Sequence, residues 1–132
     1  MIAVDTNVLV RLLTGDDPTQ AAAARTLFES GPIWIAKTVL LETEWVLRSL
    51  YGFEDVAIRE AFIGLLGLRN VHVEDSAAVA AALSLTVHGI EFADALHLSG
   101  RPNQCKFVSF DRSFVRRATR AGAAGVLIVP SR

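Results

Sequence analysis

MIAVDTNVLVRLL (residues 1–13) is a short apolar run, Met1 to Val4, broken by Asp5-Thr6-Asn7 before apolar residues resume. The break admits two readings: Asp5 caps a helix that starts behind it, or it is one member of a metal site. Four more runs resemble the first: Ile33–Ile35, Val71–Val73, Lys106–Phe110 and Val126–Val129. Each is apolar and β-branched or aromatic, and several are too continuously apolar for a half-exposed strand.

Between these runs lie helical stretches with readable ends. Asp17-Pro18 supplies an N-cap followed by proline at the first helical position. Thr38, Asp55 and Asp75 stand just before long apolar-periodic segments, where N-caps belong. Gly31, Gly52, Gly89, Gly100 and Gly122 fall where helices should stop. Strands alternating with helices predict an α/β fold with a mainly parallel central sheet of about five strands, covered on both faces. The chain shows no repeat, low-complexity segment or long linker, so residues 1–132 are expected to form a single domain.

Composition narrows the classes. At 52% hydrophobic and 20% charged, the chain suits a compact core and not a disordered one. The longest stretch without a formally charged side chain, Ser76 to Ile90, contains His88 and is too short to span a bilayer. The first residues carry no positive n-region or long apolar core, so no secretory signal is expected. A lone Cys105 rules out an intrachain disulfide and fits a reducing, cytoplasmic setting. Net charge is −1, but residues 1–100 hold 6 basic and 13 acidic side chains, whereas residues 101–132 hold 7 and 1. This basic C-terminal part points to an anionic partner or to a solvated helix face, and charge alone does not choose.

In open α/β sheets, ligands gather beyond the carboxyl ends of the strands. Asp5 follows the first run and Asp111 follows FVSF in the fourth, so both should project there, although each could equally cap the next helix. Two further acids stand out on helical wheels, with residues about 100° apart. In TVLLETEWVLRSLYG, Glu44 pairs with Arg48 as an ordinary i,i+4 couple on a solvated face. Glu42 falls between Trp45 and Val46 with no local cation, where a carboxylate is costly. In GIEFADALHLSG, Asp94 falls between Ile90 and Leu98 on a helix apolar nearly all round. Four such carboxylates crowded together would repel strongly unless protonated or compensated by a hard divalent cation. Oxygen-only ligation suits Mg²⁺ or Mn²⁺ better than Zn²⁺, and such a cation serves hydrolysis of phosphate esters. No GxxxxGK[ST] loop, GxSxG elbow or cysteine cluster offers a competing chemistry.

DTNVLVRLL, VLLETEWVLRSLYG, EFADALHLS and VSFDRSF together resemble the PIN-domain ribonucleases, especially toxins of the VapC type, over essentially the whole chain. The resemblance implies a three-layer α/β/α sandwich that cleaves RNA with one or two Mg²⁺ or Mn²⁺ ions. The acidic quartet would be Asp5, Glu42, Asp94 and Asp111, with Glu42 sharing ligation or orienting the attacking water. Thr6 and Asn7 would steady the first carboxylate, and Ser109 matches a frequent Ser/Thr position. Glu91 stands where many relatives carry Asp; it is either a supporting acid or a first-turn residue favoured by the helix dipole. The resemblance also implies an antitoxin, a small protein covering the acidic groove, and a homodimer. The helix from Thr38 to Tyr51 and its successor up to Leu68 are candidate contact surfaces.

Arg112, Arg116 and Arg120 recur every four residues after Asp111 and could receive the RNA backbone. The competing reading is that Arg116, Arg117 and Arg120 complement a helix C-terminus. His97 follows Asp94 by one turn, although a lone helical histidine is more often structural. Asp16-Asp17 reads as a helix start, His72 and His88 belong to no constellation, and Trp34, Trp45, Phe62 and Phe92 are expected in the core. An Mg-dependent phosphohydrolase fits less well. The haloacid-dehalogenase pattern wants a second Asp where Asn7 stands, and a receiver domain wants a lysine late in the sheet, where Lys106 instead begins a strand. A catalytically silent interaction module is the remaining alternative, and it gives no reason to keep four unpaired acids.

Overall fold

A computed structural model describes residues 1–130 and shows an α/β chain dividing into two compact units, Met1–Ser76 and the part from Ala77 onward. The first unit contains β1 (Ile2–Ala3), α1 (Thr6–Thr14), α2 (Pro18–Glu29), β2 (Ile33–Ile35), α3 (Lys37–Ser49), α4 (Asp55–Leu66) and β3 (Val71–Val73). The second contains α5 (Ser76–Thr86) apart from its first residue, α6 (Phe92–Ser99), β4 (Phe107–Ser109), α7 (Arg112–Arg120) and β5 (Val126–Ile128).

All five strands lie within the runs expected of them, and all pair in parallel. They form two sheets where the sequence suggested one: a three-stranded sheet of order β1-β2-β3, and the pair β4-β5. Partner choice is made by backbone N–H and C=O groups, which leave no mark in the residue pattern. The expectation of cover on both faces also changes. Ile33 and Ile35 are buried while Trp34 between them is exposed, and Val71 and Val73 flank an exposed His72. Trp34 and His72 are register partners, so one face of this sheet is exposed along its middle row. With two or three residues per strand, alternation decides burial more than overall apolarity does.

In the first unit α1 packs on α2 and α3, and α3 on α4. Leu9, Leu40, Leu47 and Phe62 are almost wholly buried there. The buried stripe of α3 is Leu40, Thr43, Glu44 and Leu47, an i, i+3, i+4, i+7 series. Both polar members are satisfied: the Thr43 hydroxyl donates to the Val39 carbonyl, and Arg48 Nε lies 2.8 Å from Glu44 Oε2. Glu44, expected on a solvated face, is thus the buried acid of this helix. Trp45, expected in the core, is 52% exposed. Phe62 and Phe92 are buried as expected.

The helix ends divide in the same way. Asp17 caps α2 through Oδ1, which accepts from the Gln20 N–H at 3.0 Å, with Pro18 opening the helix. Thr38 lies inside α3, whose N-cap Ala36 has no side-chain bond; instead the Lys37 N–H donates to Glu74 Oε1, 37 residues away. Asp55 is the first residue of α4, and Asp75 takes a left-handed φ of 50° while its carboxylate pairs with Lys37 Nζ at 3.2 Å. Asn70 Nδ2 donates to the Phe28 and Gly31 carbonyls and fastens the end of α2 to the approach to β2.

A polar knot closes the α1–α2 turn. Arg11 Nη1 donates to Asp16 and to the Tyr51 hydroxyl, the Tyr51 hydroxyl donates to Asp16 Oδ2 at 2.6 Å, and the Thr14 hydroxyl adds a further bond to Asp16. The Tyr51 bond, helped by Thr14 and Arg11, outweighs desolvation and holds the Asp16 carboxyl down to about 2 from its usual 3.8. A carboxyl depressed by folding contributes stability that is complete above 3.8 and lost as pH falls towards 2. In Tyr51→Phe the Asp16 carboxyl is expected to titrate closer to 3.8, and thermal stability below pH 4 should depend less on pH than in the wild type. A side-chain carboxyl NMR titration checks this; an unchanged Asp16 midpoint would contradict it.

Candidate active site: two pairs of carboxylates

Two of the candidate acids sit just past strand ends and begin helices. Asp5 stands two residues beyond β1 with extended backbone, φ −95° and ψ −179°, and its Oδ1 accepts from the Val8 N–H at 3.2 Å. Asp111 stands two residues beyond β4, and its Oδ1 accepts from the Phe114 N–H at 3.0 Å. Both are therefore N-caps, which was one of the two readings their positions allowed. Capping occupies one oxygen of each carboxylate. Among the described residues no donor engages Oδ2 of either, and neither acid forms an ion pair.

In the first unit Glu42 is linked to Asp5 through the intervening Thr6. The buried Thr6 hydroxyl donates a hydrogen bond to Glu42 Oε1, so α1 holds the α3 carboxylate one residue from Asp5. Thr6 was expected to steady the first carboxylate; it steadies the second, and the Val8 N–H restrains the first. Glu42 is exposed, not buried on an apolar arc, because the inward stripe of α3 runs through Thr43 and Glu44. Asn7 is exposed and lines a cavity with Asp5.

In the second unit Asp94 and Asp111 line one small cavity of about 90 Å³ with Glu91. Asp94 is half-buried in the first turn of α6, where the helix's positive end favours a carboxylate. Glu91 is the N-cap residue of α6, exposed and without a side-chain cap bond. Ser109 acts on Asp111 through the backbone: its hydroxyl accepts from the Asp111 N–H at 3.0 Å and sets the turn from β4 into α7. The sequence reading missed Arg117, which lines the same cavity while donating from Nη1 to the Gly89 carbonyl at 2.8 Å. Its place in the last turn had suggested only a dipole role; the α5–α6 turn that it grips carried no sequence signal of that contact. His97, in the last turn of α6, is exposed.

Arg112, Arg116 and Arg120 are all exposed on α7, whose buried residues are Phe114 and Ala118. The last turn holds Arg117 and Arg120, so the dipole accounts for those two and not for Arg112 or Arg116.

The donor set is all carboxylate, hydroxyl and amide oxygen, which suits a hard divalent cation in kind. Among the described residues no three His, Cys, Asp or Glu side chains converge as a metal-holding group. The structure thus assembles the acids as two pairs, Asp5 with Glu42 and Asp94 with Asp111.

Two comparisons bear on what these pairs are for. The family model described as PIN domain matches residues 2–119 and so takes in all four acids. No curated protein matches the chain.

Because Asn caps as well as Asp, the structural and chemical roles of Asp111 separate. Asp111→Ala should cost about 1 kcal/mol of stability and Asp111→Asn only a few tenths. Urea unfolding of the two variants checks this, and equal losses would show that the cap is energetically silent.

Proposed function

The chain belongs to the PIN-domain family, and on that premise we propose that it is a metal-dependent endoribonuclease, the toxin of a toxin–antitoxin pair. PIN domains are generally nucleases and often serve as such toxins. The observation that carries the reading is the divided carboxylate: two strand-end aspartates, each with one oxygen fixed by a helix cap and the other uncommitted. We read residues 1–132 as one domain, since the family match continues from the first unit into the second. The three-layer α/β/α sandwich belongs to the same reading.

In this proposal Asp5, Glu42, Asp94 and Asp111 hold one or two Mg²⁺ or Mn²⁺ ions. Such a cation, when bound, supplies stabilisation of phosphate charge and a lowered pKa for water. The chain contributes orientation. The Val8 and Phe114 N–H groups lock the rotamers of Asp5 and Asp111, and Thr6 holds Glu42. Ser109 fixes the turn that carries Asp111, while Asn7 and Glu91 stand beside the acids as polar support. Arg112, Arg116 and Arg120 receive the RNA backbone. Exposed Trp45, Leu50, Val56 and Ile63 on and between α3 and α4 support a protein contact there, with an antitoxin or a second copy of the chain as occupant. A cytoplasmic location accompanies the toxin role. Among the described residues no helix is long and apolar enough to cross a membrane.

The exposed apolar residues of α3 and α4 favour a second reading, a catalytically silent interaction module. Asp5→Asn should keep its cap and its fold yet abolish RNA cleavage at saturating Mg²⁺, measured by gel assay alongside circular dichroism. Retained cleavage in that variant refutes the assignment. A wild-type protein that neither binds Mn²⁺ nor cuts RNA is the interaction module.

The arginines are tested separately. Removing each phosphate contact should lower the log–log salt slope of single-stranded RNA binding by about 0.7. Arg112→Glu with Arg116→Glu should therefore bind RNA more weakly and with a flatter salt dependence; unaltered affinity across salt leaves these arginines as a solvated helix face.

A further inference from the structure

We propose that the groove between α1 and α2 is a slot for the RNA base beside the cleaved phosphate, and that Gln20 selects this base by its carbonyl oxygen. The inference rests on the ribonuclease reading above and adds a specificity element to it.

The groove encloses about 370 Å³, within the range of small-ligand pockets. Asp5 and Asn7 line it at the start of α1, so a nucleotide whose phosphate lies at Asp5 has this cavity next to it. Its walls are apolar: Val8 from α1, and Ala23, Ala24 and Leu27 from α2. The two alanines keep side-chain bulk low against α2 and leave room for a flat ring. Arg11 also lines the cavity, but its charge is already met. Nη1 is 2.9 Å from Asp16 Oδ1, and the Tyr51 hydroxyl bonds to the same nitrogen. A neutralised guanidinium beside apolar walls suits an uncharged base better than a second phosphate.

The selecting group is fixed by chemistry. Arg11 Nε donates to Gln20 Oε1 at 2.8 Å. Arginine has no acceptor, so the glutamine amide can only turn its oxygen to Arg11 and its NH₂ group away. Gln20 lines the cavity with its oxygen held by Arg11, so the group it has left to offer a base is the NH₂ donor. A base offering a carbonyl oxygen there, uracil or guanine, completes the bond. At the edge where uracil has O4 and guanine O6, cytosine and adenine present the N4 and N6 amino groups and leave two donors facing each other.

The test compares wild type, Gln20→Leu and Gln20→Glu on a single-stranded RNA pool of mixed sequence with Mg²⁺, mapping cut ends by sequencing. Wild type should favour U and G over A and C at one position flanking the cut, by roughly three- to tenfold for one hydrogen bond. Gln20→Leu should lose the preference. Gln20→Glu still accepts from Arg11 but presents an acceptor, so the preference should invert towards A and C. A structural role alone moves none of these ratios, and identical cleavage profiles overturn the proposal. Methyl NMR of the wild-type protein without divalent cation, titrated with short oligouridylate and oligocytidylate, reads the slot without cleavage. Shifts at Val8, Ala23, Ala24 and Leu27 that saturate at lower uridylate concentration support it, and no shifts with either overturn it. If wild type cuts no RNA yet shows those shifts, the nuclease reading fails while the slot stands.

Discussion

The site depends on a carboxylate that divides its two oxygens between jobs. Asp5 and Asp111 each end the approach from a parallel strand and open a helix, and in each Oδ1 accepts from the N–H three residues on. A cap of this kind is worth about 1 kcal/mol, enough to hold the side chain in one rotamer. The conformational entropy of ordering that side chain is then lost on folding and not again on binding. What remains is an oxygen aimed by the helix start and carrying charge that no cation among the described residues neutralises. Structural use and chemical use do not compete here, because they engage different atoms of one group.

How far the sequence discloses this follows from which interactions are local. The five strands were legible because short runs rich in β-branched, aromatic and apolar residues are their own signal, and Asp17-Pro18 was legible because a cap acts within three residues. The α3 start was not, since its N–H is met by Glu74 from the far end of the unit. The four candidate acids could be picked out by position and type, but their surroundings could not. Glu42 and Glu44 exchanged roles because a wheel ranks faces by apolarity. In α3 the inward face holds Thr43 and Glu44, each satisfied within four residues by Val39 and Arg48. Once satisfied, a polar side chain costs little to bury, and the apolar arc bearing Trp45 is left outside. Sheet pairing escaped for a similar reason, being written in backbone groups common to every residue.

The knot at Arg11 shows what such long-range contacts do for the site. Tyr51 and Asp16 are 35 residues apart, yet their bond and the Arg11 pair join the end of α1, the α1–α2 turn and the segment just past α3. The same α1 carries Asp5 at its cap and Thr6 against Glu42, so the helix is fastened at both ends. A carboxylate placed by a helix start is only as well placed as the helix, and α1 is a short one of nine residues. Isolated helices of that length are marginal in water, so tertiary fastening, not propensity, must hold it.

Charge on α7 adds a separate constraint. Arg112 occupies the first helical position, where the positive end of the dipole disfavours a cation by a few tenths of a kcal/mol or more. Arg116 then follows one turn on, exposed, with no ion pair among the described residues. Neither position is explained by the helix itself, in contrast to Arg117, which serves the Gly89 carbonyl, and Arg120, which sits at the favourable end. The adjoining Asp111 offsets part of the cost at Arg112, so negative and positive groups stand side by side at one helix start. A surface of that kind suits a ligand that is itself anionic but arrives with a cation, and a phosphodiester accompanied by Mg²⁺ has that composition.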